Sequence, residues 1–206
     1  MFNKNSFVLS ALLGYFVRAA EESVDTSTPA NDRPTGGLKV DDAEFNMRYL
    51  PETDEIEFIV TMMSNSWFGL ALGNKDMTKD GDMITFHRQN YDYDYFFQDR
   101  YSVGYQPPAV DEINNLANHP VRSIEFDADG RATLFARRAL DTGDSSDFVI
   151  PLDQEFNVGY AVNGSSSDIS IYTKHQTAGS VAVSLKSNGD PVWGELVVAD
   201  PVDNVS

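Results

Sequence analysis

Three histidines (His87, His119, His175), six methionines and no cysteine bound the ligand chemistry open to this chain. Without cysteine there are no disulfides, thiolate zinc sites, iron–sulfur clusters, thiol nucleophile or thioether-attached haem. Neither His-x-His nor His-Glu-x-x-His zinc spacing occurs, and no Gly-x-Ser-x-Gly elbow presents a serine. A glycine-rich phosphate loop opening a helix is also absent. With 32 acids some carboxylate pair is always at hand, so pairing says nothing about glycosidase chemistry. One chemistry remains that needs a single imidazole, a single thioether and an apolar pocket: bis-axial ligation of a non-covalent haem. Six-coordinate iron has no free position for oxygen, so such a centre transfers electrons.

The elements that must position such ligands read as strands. Apolar residues recur with period two, and Ile56, Phe58, Val60 and Met62 fall on one face. Further alternating runs cover residues 43–49, 67–72, 83–88, 122–126, 132–137, 156–163, 169–173 and 181–185. β-Branched and aromatic residues dominate them, with Gly, Pro, Asp or Asn between. No amphipathic helix of a dozen residues is present, and 111–118 carries one helical turn at most. About ten short strands in 206 residues predict an all-β, immunoglobulin-like antiparallel β-sandwich. Residues 126–132 resemble a calcium loop, but the EF-hand register puts Ala136 where a bidentate Glu belongs. Asp129-Gly130 is read instead as a hairpin turn.

Lys4, an apolar run over 7–17, and Val17 and Ala19 at the −3 and −1 positions have the layout of a secretory signal peptide over 1–19. Residues 20–37 are polar and rich in Pro and Gly, a flexible leader; the domain is expected over 38–190 and a C-terminal strand or tail over 191–206. No later segment reaches the roughly 18 continuous apolar residues of a membrane-spanning helix. The expected localisation is secreted, and Asn163-Gly164-Ser165 and Asn204-Val205-Ser206 are glycosylation sequons. The formal charge is −17, and removal of 1–19 would take Lys4 and Arg18 and no acid. That excess argues against nucleic acid and anionic lipid as partners. It favours steering toward a basic docking face that weakens with salt.

Five segments in order resemble the DOMON domain family. Trp67-Phe68-Gly69-Leu70-Ala71-Leu72-Gly73 followed by Met77 and Asp82 is similar to its apolar strand ending in Gly, its Met-bearing loop and the Asp that opens the next strand. Residues 98–105 with Pro107, Pro108 and Asp111 resemble the middle segment. Arg137-Arg138-Ala139-Leu140-Asp141-Thr142-Gly143-Asp144 resembles the "basic residues, Leu-Asp-Thr-Gly-Asp" stretch. Residues 156–162, and then 171–180 with His175, resemble the C-terminal strands and their His-bearing loop. The family is similar to the haem domain of secreted cellobiose dehydrogenase and the N-terminal domain of dopamine β-hydroxylase.

The resemblance implies a β-sandwich holding one b-type haem between Met77 and His175, with Met83 as the alternative to Met77. Trp67, Tyr93 and Tyr95 are candidate neighbours of the cofactor, although packing is the first reading for each: core for Trp67, core or cross-strand for the tyrosines. His87 and His119 read as solvent-facing or structural, and Met83 as core. A non-enzymatic one-electron carrier is expected, fed by a flavin or haem reductase and discharging to a copper enzyme, a metal ion or another haem protein. The alternative is a haem-free module that binds carbohydrate through Trp67 and the tyrosines.

Overall fold

The computed structural model describes residues 36–63, 66–78, 80–89, 94–104, 106–118, 124–164 and 174–199, with side chains omitted at 88–89 and 94–96. The signal-peptide reading, the leader up to residue 35, His119, Tyr93 and the expected strand at 169–173 therefore lie outside the described residues. So do the first two residues of the expected strand at 122–126, which ends as the strand Glu125–Phe126, and both sequon hydroxyl positions, Ser165 and Ser206.

Among the described residues thirteen strands form two antiparallel sheets, in agreement with the all-β sandwich expected from period-two patterning. Along the chain they are β1 (Leu38–Val40), β2 (Ala43–Leu50), β3 (Glu55–Met63), β4 (Trp67–Leu72), β5 (Asp82–Gln89), β6 (Asp94–Tyr101) and β7 (Ala109–Val110). There follow β8 (Ala117–Asn118), β9 (Glu125–Phe126), β10 (Arg131–Ala139), β11 (Glu155–Asn163), β12 (Thr177–Leu185) and β13 (Pro191–Val198). The first sheet runs β1-β2-β3-β10-β8, with β9 also on β10; the second runs β13-β12-β11-β4-β5-β6-β7. Of these, β1, β7, β8 and β9 are only two or three residues long. Where one helical turn was allowed, 111–118 holds bends and then β8, and no helix occurs among the described residues.

The core forms where the sheets face each other. Ile56, Phe58, Val60 and Met62 of β3, the four residues picked out by alternation, are all fully buried. Across from them lie Phe68, Leu70 and Leu72 of β4 with Ile84 and Phe86 of β5. Phe45 of β2 stacks at a tilt on Phe68, centroids 5.9 Å apart, and meets Trp193 of β13 edge-on at 5.5 Å. Each such side chain contributes about 1.5–3 kcal/mol by leaving water. With no disulfide available, that burial holds the sheets together.

Residues 126–131 form the hairpin turn expected from Asp129-Gly130. Gly130 adopts φ +77°, and the Asp127 carboxylate accepts the backbone N–H groups of Asp129 and Arg131. Those backbone bonds, with the Arg131 side chain, hold the Asp127 carboxyl below its usual range. Its acceptors are thus turned to the turn itself, which is the local chemistry of an Asx-type loop.

Candidate functional site

The candidate site lies on the outside of the second sheet. Strand alternation sends Phe68, Leu70 and Leu72 into the core, so Trp67, Gly69 and Ala71 face outward. In β11 the inward set is Phe156, Val158, Tyr160 and Val162, and Gly159, Ala161 and Asn163 face outward. Register aligns these small residues across strands. Gly69 stands between Thr85 and Ala161, and Ala161 stands beside Ala178. Ala178 accepts the Ala199 N–H at 2.8 Å. One step along, Ala71 lies between Met83 and Gly159. The result is a floor of glycine and alanine too short to cover itself, walled by longer side chains.

A cleft of about 350 Å³ stands on this floor, and Met77, Met83, His175 and Lys75 all line it. Small-molecule sites commonly span about 300–1,000 Å³. Met77 arrives from the loop between β4 and β5. That loop is tied down by Asn74 Nδ2 to the Leu72 carbonyl (3.4 Å), Gly81 N–H to the Thr78 carbonyl (3.3 Å) and Asp80 N–H to the Ser102 carbonyl (2.8 Å). His175 arrives from the segment before β12. Asn163 Nδ2 donates to the Lys174 carbonyl at 2.7 Å, and Gln176 N–H donates to the Val162 carbonyl at 2.9 Å, so the end of β11 seats the histidine. Asn163 is 5 % exposed, and the amide nitrogen a glycan would need is engaged in that bond. Burial, reinforced by the positive charge of Lys174, holds the His175 imidazole below its ordinary pKa. At neutral pH it is therefore the neutral base, the form with a free lone pair for a metal.

Met83 is buried at 6 % exposed, as a core residue would be, but it belongs to the outer face and lines the cleft, not the inter-sheet core. Trp67 is likewise outside that core. It sits at the end of the same face opposite His87, its ring 3.5 Å from where a Gly69 Cβ would be. Trp67 does not line the cleft itself. His87, read from sequence as solvent-facing or structural, is 5 % exposed; burial, then Arg100, push its pKa down to about 4. Tyr95 lies in β6 opposite Arg88, with its side chain outside the described residues.

Sequence reasoning missed a second group at the other end of β5. The carboxylates of Asp82, Asp99 and Asp147 each bring an oxygen within 4.8 Å of the others. Arg138 enters this cluster, Nη2 donating to Asp82 at 2.7 Å and to the Phe148 carbonyl at 2.9 Å, with Nη1 3.7 Å from Asp147. Two of the carboxylates, Asp82 and Asp147, pair with the one guanidinium, and burial pushes the third, Asp99, up to about 7 despite the Asn115 N–H it accepts. Burial also raises Asp82, against the opposing pull of Arg138 and the Phe148 N–H. The floor was legible in principle: Gly69 and Ala71, then Gly159 and Ala161, repeat small residues at period two on one face. The acid cluster was not, since its members come from β5, β6 and the stretch after β10.

The DOMON domain model matches residues 41–189. Among solved structures, the cytochrome b domain of pyranose dehydrogenase from Coprinopsis cinerea shares 14% identity, covering 68% of this chain and 75% of that one at a TM-score of 0.52. The cytochrome domain of cellobiose dehydrogenase from Myriococcum thermophilum also shares 14% identity, covering 75% of this chain and 83% of that one at a TM-score of 0.52. A search among curated proteins found no match. At that identity the two structures speak for the fold; the family match spans most of the sandwich, and the chain belongs to the DOMON domain family.

Proposed function

We propose that the cleft binds a single b-type haem with Met77 and His175 as axial ligands, and that the protein is a secreted one-electron carrier without catalytic activity of its own. The observation that carries this reading is that a thioether and a neutral imidazole, far apart in sequence, line one cleft floored by glycine and alanine. The residues present fit the group: the donor set suits iron, and the absent side chain of Gly69 leaves the floor low beneath a flat macrocycle. The haem, when bound, supplies a reversible one-electron couple. The chain's own residues do the rest. His175 offers its lone pair without losing a proton first. Met77 offers a soft donor that favours the reduced metal. The apolar floor keeps water off the face it covers.

Two named relatives in fold are cytochrome domains of dehydrogenases, which supports a redox partner for this chain too. A flavin or haem reductase would supply the electron. A copper enzyme, a metal ion or another haem protein would take it. The −17 charge suits a partner with a basic docking face. For the carbohydrate alternative, Trp67, 7 % exposed, has little ring face to offer a sugar.

The test is an absorption spectrum of the protein made with haem. A six-coordinate low-spin spectrum is the expected result. Protein that stays colourless through a haem titration would sink the reading.

A further inference from the structure

The Met77 loop does not rest on the sheet by chance. A Cβ at Gly159 would lie 3.1 Å from both the carbonyl carbon and the oxygen of Lys75, two residues before Met77, and 3.3 Å from the Ala71 Cβ. Backbone therefore lies directly on β11 at that point, closer than almost any side chain permits. At the loop's start, Gly73 takes φ +72°, and a Cβ there would collide with the Phe148 ring. The ring itself is held in place. The Phe148 N–H donates to Asp82 at 2.9 Å, its carbonyl accepts Arg138 Nη2, and its ring packs on Phe156 at 5.6 Å. The loop is thus pressed onto the sheet at Lys75 and clamped at Gly73, and Met77 lines the cleft from it.

We propose that Gly159 is the positioning residue for Met77: its missing side chain lets the Lys75 backbone seat on β11, with Phe148 closing the loop's other end over Gly73. The proposal rests on the haem reading for its consequence, but the seating of the loop is a property of the protein alone. It also gives the buried Asp82–Arg138 pair a task, since both grip the Phe148 backbone.

The experiment compares the full chain with Gly159→Ala in two ways. Hydrogen exchange of the haem-free protein reads residues 74–78 directly, and haem titration with absorption spectroscopy reads the iron's coordination. The Gly159→Ala protein should exchange faster over 74–78 while β4 and β11 keep wild-type protection. Its haem affinity should fall about 10- to 100-fold, the usual cost of losing a group that orients a ligand, and the signature of thioether ligation should disappear. Unchanged exchange over 74–78 would overturn the proposal whatever the haem does. Should Gly159→Ala fail to fold, Phe148→Leu takes its place, keeping an apolar side chain while uncovering Gly73. Wild-type exchange and spectrum in Phe148→Leu would then overturn it. A wild-type protein that takes up no haem would remove the proposed function alone, and the exchange result would still decide the seating.

Discussion

Arg138, on β10 of the first sheet, places Nη2 2.7 Å from the carboxylate of Asp82, on β5 of the second, with both side chains essentially sealed from solvent. The pair crosses the sandwich at one end, where Asp99 and Asp147 add two further carboxylates. Arg138 is inward because it pairs with Ile56, a fully buried core residue. Removing the guanidinium leaves three acids crowded in a dry site. Arg138→Ala should therefore lower stability by about 3–5 kcal/mol, measured by urea denaturation. A loss of less than about 1 kcal/mol would mean the pair does not hold the sheets in register.

Asp99 and His87 pull stability in opposite directions with pH. Folded Asp99 keeps its proton up to about 7, against 3.8 ordinarily, so its stabilisation is full below about pH 4 and fades as pH rises toward 7. Folded His87 refuses a proton until about 4, against 6.5, so its stabilisation is full above about pH 6.5 and fades as pH falls toward 4. Between those limits the two slopes oppose each other, and the wild-type melting temperature should vary little. Asp99→Asn should expose a melting temperature that rises from pH 4 to 6.5. His87→Gln should expose one that falls over nearly the same range. Parallel pH profiles for the two variants would contradict this.

Two methionines line the cleft, and substitution separates them. Met77→Leu should remove the sulfur ligand and convert the iron to a five-coordinate or high-spin state while His175 retains the haem. Met83→Leu conserves volume at a buried position, should cost less than about 1.5 kcal/mol, and should leave the spectrum unchanged. The reverse pattern in the absorption spectra would transfer the ligand role to Met83.

The floor can be filled without touching the core. Ala161 faces outward between Gly69 and Ala178, so Ala161→Leu puts new bulk into the cleft alone. Crowding of about 1–3 kcal/mol corresponds to roughly 5- to 150-fold weaker haem binding, with a melting temperature near wild type. Equal affinity in a titration would show that the cofactor does not lie over this part of the sheet.

Local patterning determined a good deal. The inward faces of β3, β4 and β11 follow from period-two alternation, because a strand turns successive side chains to opposite sides whatever its neighbours are. The Asp129-Gly130 turn follows from the conformations those two residues tolerate. The order of five short segments also sufficed to point to the family. Met77 and His175 could be named as candidates, but their side chains lie in loops whose course no periodicity describes.

What only the tertiary structure decided is which residues stand opposite one another. Cross-strand register lines up Gly69, Ala161 and Ala178 into a floor, and sets Met83 on the cleft side although its burial matches a core residue. The Asp82–Arg138 pair forms between strands of different sheets, and the Lys75 backbone meets Gly159 across a loop. Such contacts depend on register and on the path between distant segments, and neither is written in any local window of the chain. Alternation states which side a residue faces; the packing of the two sheets states what it faces.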